Sequence, residues 1–327
     1  MPSDAVYAAL DLGTNNCRML VARPTGHGFR VIDAFSRVTR LGEGLGRTGR
    51  LSEAAMARTL DALDACADKM RRNRAGRARL VATEACRRAV NGAEFTARIA
   101  ERTGLAPDII SAQEEAGLAL AGCASLLDPQ VPWALVFDIG GGSTELVWVR
   151  TDSDGQSVKG VRSVPTGVVT LAEQSGAEMS TAAGYEAVVA RLAESFAPFE
   201  HEHGIATRMI HEPAQMLGTS GTVTTLGALH LGLERYDRAQ IDGLNLNFAD
   251  IAAVSRMLAE MSSDDRAAHP CIGPERADLV VAGCAILDAV CRLWPLGRLK
   301  VADRGVREGV LLGMMREDAH GSQRKRT

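Results

Sequence analysis

The chain has 327 residues, more than a single domain usually holds, and is 46% hydrophobic and 24% charged, as globular proteins are. No apolar run approaches the roughly 20 residues that span a membrane, and the first residues lack the pattern of a signal peptide. The net charge of −3 does not indicate a nucleic-acid partner. The seven cysteines lack C-x-x-C spacing, which favours reduced thiols over zinc ligands. We therefore expect a cytoplasmic enzyme of two domains without a membrane partner.

Apolar spacing predicts alternating strands and helices in the first half. The predicted strands cover residues 6–10, 17–22, 29–35, 80–82 and 108–110, and the predicted helices cover 52–73, 92–103 and 113–123. Ser52 precedes the first long helical pattern as its expected N-cap.

The second half repeats this order after a boundary at residues 125–132, which contain two prolines. Predicted strands cover residues 134–137, 144–150, 158–164 and 216–217, and predicted helices cover 181–196, 251–261, 276–293 and 305–315. The pattern favours two domains, 1–126 and 127–304.

Two glycine turns stand out because each lies between two strand-like runs. The first is Asp11-Leu12-Gly13-Thr14-Asn15-Asn16, and the second is Asp138-Ile139-Gly140-Gly141-Gly142-Ser143-Thr144-Glu145. Glycine lets the backbone approach a phosphate, the hydroxyl and amide side chains add donors, and aspartates can hold Mg²⁺. Two such turns suggest two related halves that face each other with an anion and a metal between them. Taken singly, the first turn is equally consistent with an ordinary tight turn.

The residues after the second turn argue against two common nucleotide-binding motifs, the Walker loop and the Rossmann fingerprint. A helix follows the glycines in a Walker loop or a Rossmann fingerprint, whereas residues 145–149 are rich in β-branched and aromatic side chains. Gly-Lys-Ser/Thr is also absent from the chain. The sequence therefore predicts phosphate binding in a β-hairpin turn.

The order of these motifs resembles the exopolyphosphatase and guanosine pentaphosphatase family of the actin, sugar-kinase and Hsp70 superfamily. The resemblance covers nearly the whole chain through seven segments: the two turns, residues 39–45, 82–87, 109–116, 218–222 and 303–309. Asn16 departs from the family, where serine is frequent, and the chain lacks the C-terminal helical domains of longer members. The resemblance implies an α/β fold of two actin-like (ribonuclease H-like) domains with a catalytic cleft between them. It also implies that the final helix, 305–327, packs back on the first domain.

The resemblance also implies roles for individual residues. Glu115 would be the general base, with Glu114 a capping residue. Without the resemblance, Glu115 also fits a carboxylate that only stabilises the start of a helix. Asp138 and Glu145, with Asp11 as a further candidate, would hold Mg²⁺ or Mn²⁺. The implied substrate-binding residues are Gly13, Thr14, Asn15, Asn16, Arg87, Gly140, Gly141, Gly142, Ser143, Thr144 and Arg276. Arg276 fits a surface arginine at a helix start equally well.

The implied function is that of an exopolyphosphatase, which releases terminal orthophosphate from inorganic polyphosphate by Mg²⁺-dependent attack of water. Guanosine pentaphosphate is a second expected substrate or the main one, guanosine tetraphosphate is a further partner, and a homodimer is expected. Two other classes stay open: a sugar or acetate kinase of the same fold, and a non-catalytic sensor of polyphosphate or guanosine tetraphosphate.

A run of basic residues bears on substrate choice. It comprises Lys69, Arg71, Arg72, Arg74, Arg77 and Arg79, followed by Arg87 and Arg88. Such a cluster can attract a long polyanion, which favours polyphosphate over the nucleotide. The alternative is a solvated face near a helix C-terminus, where positive charge suits the helix dipole.

Overall fold

The structure is a computed structural model that describes residues 5–26, 28–152 and 155–324. The chain divides into two compact units. The N-terminal unit comprises the residues up to 122 together with those from 305 onward, and the central unit comprises residues 123–304. Among the described residues, no helix is long and apolar enough to cross a membrane.

The N-terminal unit contains a five-stranded sheet in the order β3-β2-β1-β4-β5. Its strands are β1 (Tyr7–Leu12), β2 (Asn16–Thr25), β3 (Gly28–Val38), β4 (Arg77–Ala82) and β5 (Pro107–Ile109). Its helices are α1 (Leu45–Thr48), α2 (Glu53–Arg72), α3 (Glu84–Arg88), α4 (Gly92–Thr103) and α5 (Ala112–Cys123). The first three strands are antiparallel neighbours, and β4 and β5 run parallel to β1.

The central unit contains a six-stranded sheet in the order β10-β11-β9-β6-β7-β8. Its strands are β6 (Trp133–Ile139), β7 (Thr144–Asp152), β8 (Gly155–Val164), β9 (Ala214–Thr219), β10 (Asn245–Asn247) and β11 (Arg298–Ala302). Its helices are α6 (Val168–Ser175), α7 (Ala182–His203), α8 (Ile205–His211), α9 (Gly221–His230), α10 (Arg238–Ile241), α11 (Phe248–Glu260), α12 (Ser263–Ala268) and α13 (Val280–Leu293).

The two sheets share one plan. In each, three antiparallel strands are followed by two strands parallel to the first, and β10 adds an antiparallel edge to the central sheet. The predicted α/β class, with a related sheet in each half, is thus confirmed.

Helix α14 (Val306–Arg324) packs on β1 and β2 in the N-terminal unit. Its apolar side chains, including Val310 and Met314, are buried with Tyr7 of β1. Gly309 of α14 lies so close to α5 that a Cβ there would overlap the carbonyl oxygen of Leu118. The close approach of these two helices therefore depends on a glycine.

Most predicted elements are present with shifted ends. Ser52 caps α2 as expected, with its Oγ accepting a hydrogen bond from the Ala55 N–H. The helix predicted from 276 begins only at Val280, because residues 274–279 form turns. The helix predicted over 305–315 continues to Arg324. Elements that the pattern missed include α3, α6, α8, α9 and β11.

A matched pair of glycines in α14 tests the contact between α14 and α5. Gly309→Ala should lower the free energy of unfolding by about 1–3 kcal/mol, because the new methyl group overlaps the α5 backbone. Gly313→Ala in the same helix meets no atom within 4 Å and should raise it by up to about 1 kcal/mol, the helix preference of alanine. Urea unfolding of both variants measures the difference. Equal effects of the two substitutions would contradict the close packing.

Candidate functional site

The first glycine turn joins β1 to β2 as a hairpin. Leu12 pairs with Cys17, and the Gly13 N–H donates to the Asn16 carbonyl at 2.9 Å. The segment after β3 holds the turn from behind: the Gly42 N–H donates to the Thr14 carbonyl, and the N–H groups of residues 39 and 40 donate to the Asn15 carbonyl, at 2.9–3.0 Å.

The second glycine turn has the same construction between β6 and β7. Ile139 pairs with Thr144, and the Gly140 N–H donates to the Ser143 carbonyl at 2.9 Å. Here the holding segment is the start of α6, which follows β8. The Val168 N–H donates to the Gly140 carbonyl at 3.0 Å, and the Val169 N–H donates to the Gly141 carbonyl at 2.8 Å.

Anchored carbonyls fix where the N–H groups of each turn point. In a trans peptide the C=O and the following N–H point in opposite directions, and no described peptide bond is cis. The N–H groups of Asn15 and Asn16, and those of Gly141 and Gly142, are therefore turned away from their anchoring segments. Consecutive N–H groups of this kind form an anion-binding nest. Each turn thus presents two adjacent N–H groups in an arrangement that suits an anion.

A glycine behind each turn permits this close approach. A Cβ on Gly42 would overlap Cγ2 of Thr14, and a Cβ on Gly167 would lie 2.5 Å from the Gly140 oxygen. Heavy atoms do not approach this closely without displacement, so both positions require glycine for steric reasons rather than for backbone conformation.

Side chains of the second turn bond mainly within the protein. The Ser143 hydroxyl donates to Oε1 of Glu145 at 2.7 Å, and the Thr144 hydroxyl donates to the Thr166 carbonyl at 2.7 Å. In the first turn, the side-chain oxygens of Asn15 and Asn16 are buried and accept no hydrogen bond from a described residue. Buried acceptors of this kind are normally satisfied by water or an ion.

Two carboxylates face each other beside the second turn. Asp138 and Glu145 are directly opposed on β6 and β7, and Glu145 is almost fully buried. Oε1 of Glu145 accepts hydrogen bonds from Ser143 and, at 2.8 Å, from Ser163 of β8. Because opposed like charges destabilise a strand pair, the arrangement fits a cation held by both groups.

The equivalent position beside the first turn has the opposite charge. Asp11 pairs across the strands with Arg18 rather than with a second carboxylate. Burial raises the pKa of Asp11 above its usual value, although the charges of Arg18 and Arg307 act against this rise. Among the described residues, no group of three or more His, Cys, Asp or Glu side chains is placed to hold a metal ion.

Glu115 and Glu114 occupy different environments at the start of α5. Ser111 begins the helix, accepting the Glu114 N–H on its hydroxyl and the Glu115 N–H on its carbonyl. The exposed Glu114 carboxylate pairs with Arg79 at 2.6 Å. Glu115 is only 9% exposed, and its Oε2 lies 3.2 Å from both terminal nitrogens of Arg87. A buried carboxylate beside one arginine is suited to acid–base work in a way that Glu114 is not.

Arg87 is held by protein groups on several sides. Its Nη1 also donates to the Ile110 carbonyl, and its Nη2 donates to Glu84, both at 2.7 Å. Burial acts to lower the pKa of the guanidinium, but the charges of Glu115 and Glu84 outweigh burial and keep that pKa above its usual value. Arg87 is predicted to contact phosphate, but both of its terminal nitrogens are engaged with Glu115, Glu84 and the Ile110 carbonyl.

Comparison with known proteins adds to this geometry. The profile of the Ppx/GppA phosphatase family matches residues 20–318. The chain belongs to the Ppx/GppA phosphatase family. Exopolyphosphatase 2 of Mycobacterium tuberculosis is 30% identical to it, over 94% of this chain and 98% of that protein.

Solved structures of the Ppx/GppA family agree along almost the whole chain. A crystal structure of an exopolyphosphatase-like protein has a TM-score of 0.86 and 29% identity, covering 95% of this chain and 97% of that one. The Aquifex aeolicus family member has a TM-score of 0.78 and 28% identity, covering 96% and 98%. The predictions of the family and of a phosphate-releasing hydrolase are confirmed at this level.

Two further predictions concern residues outside the turns. Arg276 lies in the turns before α13, and among the described residues its side chain has no hydrogen bond or ion pair with another predicted site residue.

Much of the basic run is neutralised by carboxylates. Lys69 pairs with Asp33, Arg71 with Asp68, Arg77 with Glu317 and Asp318, and Arg79 with Asp108 and Glu114. The interpretation as a solvated surface face therefore fits these four residues better than the interpretation as a cluster that attracts a polyanion.

Sequence reasoning missed several residues that shape the site. Ser163 and Gly167 have no marked motif around them, and Glu84 lay inside the matched segment 82–87 without a predicted role of its own. The importance of these three residues depends on which strands and helices become neighbours. Gly42 lay inside the matched segment 39–45, but its steric role follows only from the position of Thr14.

Substitution of Gly167 tests the anchoring of the second turn. Gly167→Ala should displace residues 140 and 141 and weaken binding of inorganic tripolyphosphate by at least about tenfold, because small misplacements of binding groups are costly. Isothermal titration calorimetry measures the affinity. Gly46→Ala, where a Cβ meets no atom within 4 Å, is the control and should bind as the wild type does. Unchanged binding by Gly167→Ala would show that the turn does not depend on this contact.

Proposed function

We propose that the chain is an exopolyphosphatase that releases terminal orthophosphate from inorganic polyphosphate. The main support is the pair of anchored turns, whose N–H groups offer two constructed anion sites. These donors recognise phosphate oxygens and require no base or sugar. The names of the Mycobacterium tuberculosis relative and of the exopolyphosphatase-like structure point to the same substrate.

In the proposed reaction, a water oxygen attacks the terminal phosphorus while the bond to the bridging oxygen breaks. Glu115 accepts a proton from the attacking water, and the shortened polyphosphate leaves with the electron pair of the broken bond. The charge on the transferred group is met by the N–H groups of a glycine turn, so that positioning and electrostatic stabilisation provide most of the catalysis. Arg87 fixes the Glu115 carboxylate during this step, and the Ser111 carbonyl accepts the backbone N–H of Glu115 at the start of α5.

Asp138 and Glu145 are the residues proposed to hold Mg²⁺, with Mn²⁺ as an alternative. One or two carboxylates with substrate phosphates are a usual environment for Mg²⁺, and the directly opposed pair fits it. When bound, the ion would supply neutralisation of phosphate charge. Asp11 is the weaker candidate ligand because Arg18 is its cross-strand neighbour.

Guanosine pentaphosphate stays a second proposed substrate, since its terminal phosphate presents the same oxygens to the turns. The proposed preference for long polyphosphate has less support than the sequence indicated, because six of the eight basic side chains are paired with carboxylates.

Replacing the proposed base tests the reaction. Glu115→Gln should lower kcat for polyphosphate by about 10²–10⁴, the usual contribution of a general base. Phosphate release from polyphosphate and from guanosine pentaphosphate is measured separately. Glu114→Gln is the matched control, because its carboxylate is exposed and paired with Arg79, and it should keep near wild-type turnover. If Glu115→Gln retained more than about a tenth of the wild-type rate, Glu115 would not be the base.

Removal of the metal tests the carboxylate pair. Activity should be lost in EDTA and return with Mg²⁺ or Mn²⁺. Asp138→Asn should raise the Mg²⁺ concentration for half-maximal rate by at least about tenfold, because one ligand charge is lost. Asp128→Asn, at an exposed aspartate, serves as the control and should leave that concentration unchanged. Full activity of dialysed wild-type protein in EDTA would remove the metal from the mechanism.

A further inference from the structure

Glu84 is a buried carboxylate that the proposed reaction does not use. It is the first residue of α3 and only 8% exposed. One oxygen accepts a hydrogen bond from Nη2 of Arg87 at 2.7 Å, and the other lies 3.7 Å from Nε of Arg88. A buried charge is costly unless it is paired, and the guanidinium of Arg87 is a partner within hydrogen-bond distance of Glu84.

Arg87 links this carboxylate to the proposed base. The same Nη2 that donates to Glu84 also lies 3.2 Å from Oε2 of Glu115, and Nη1 is fixed by the Ile110 carbonyl. A planar guanidinium held at three places has little freedom to rotate. The orientation of Arg87 toward Glu115 therefore depends on Glu84.

We propose that Glu84 is a positioning residue that fixes Arg87 against Glu115 and, by sharing the guanidinium charge, sets the ionisation of the proposed base. The inference rests on the proposed function, because the ionisation of Glu115 matters to the rate only if Glu115 accepts a proton from water.

The other charged groups that the described residues place on the elements around this cluster are engaged with partners of their own or stay neutral. On α3, Arg88 lies on the far oxygen of Glu84, and burial raises the pKa of the Cys86 thiol to about 12, so that it stays neutral. From β4, Arg79 is engaged by Asp108 of β5 and Glu114 of α5. From α4, the cations Arg98 and Arg102 pair with carboxylates of α2: Glu53, Asp61 and Asp64.

Two substitutions separate the orienting role from the charge. Glu84→Gln keeps an oxygen that accepts from Arg87 but removes the negative charge, so the full guanidinium charge acts on Glu115 and the repulsion between the carboxylates disappears. Both changes favour the ionised form and lower the pKa of Glu115. A lower pKa moves the acidic limb of the rate profile to lower pH and weakens the base. Glu84→Ala also removes the acceptor, which releases Arg87.

The experiment measures kcat and KM for polyphosphate against pH for the wild type and for Glu84→Gln, Glu84→Ala and Glu114→Gln. In Glu84→Gln the acidic limb should move down by about half to one pH unit, the scale of one nearby charge. In Glu84→Ala kcat should fall at least about tenfold, with a smaller change in KM. The acidic limb of Glu114→Gln should coincide with that of the wild type, because Arg79 already pairs with its carboxylate.

Titration of the Glu115 carboxyl carbon, followed by ¹³C NMR without substrate and assigned with Glu115→Gln, should show the same downward pKa shift in Glu84→Gln. This measurement needs no activity and no Glu84→Ala protein. Absence of phosphate release by the wild type would therefore count against the proposed function alone. An unchanged Glu115 titration and an unchanged acidic limb in Glu84→Gln would overturn the role of Glu84.

Discussion

The carbonyl groups of the two glycine turns accept hydrogen bonds from neighbouring backbone segments, and these bonds determine where the next N–H groups of the turns point. At Thr14 and Asn15 the donors are backbone N–H groups after β3, and at Gly140 and Gly141 they are the first N–H groups of α6. Peptide planarity then directs the next N–H groups outward in both cases. A helix N-terminus commonly binds phosphate directly, whereas α6 acts here through the turn that it orients.

The two units share the construction of the turn but differ in the charged residues beside it. Each unit provides a hairpin turn, an anchoring segment and a glycine that lets the two approach. The difference lies two strand positions away, where Arg18 faces Asp11 in one unit and Glu145 faces Asp138 in the other. The proposed metal ligands therefore lie in the central unit, and the proposed base, Glu115, lies in the N-terminal unit.

The sequence predicted much of the fold, because strand-like runs on both sides of each glycine turn specify a hairpin. It also placed Glu115 at a helix start, where Ser111 is the cap. It missed α6 and α9, whose β-branched residues have weak helix propensity and become helical through tertiary packing. The engagement of Arg87 by Glu84 and Glu115 was also missed, since a linear pattern shows which charges exist but not which of them pair.

Amide chemical shifts of ¹⁵N-labelled protein during titration with inorganic tripolyphosphate and Mg²⁺ test the central claim most directly. The account predicts that the N–H signals of Asn15, Asn16, Gly141 and Gly142 move furthest, while those of turn glycines such as Gly104 and Gly232 stay in place. Binding that moves other amides and leaves these four unchanged would contradict the account.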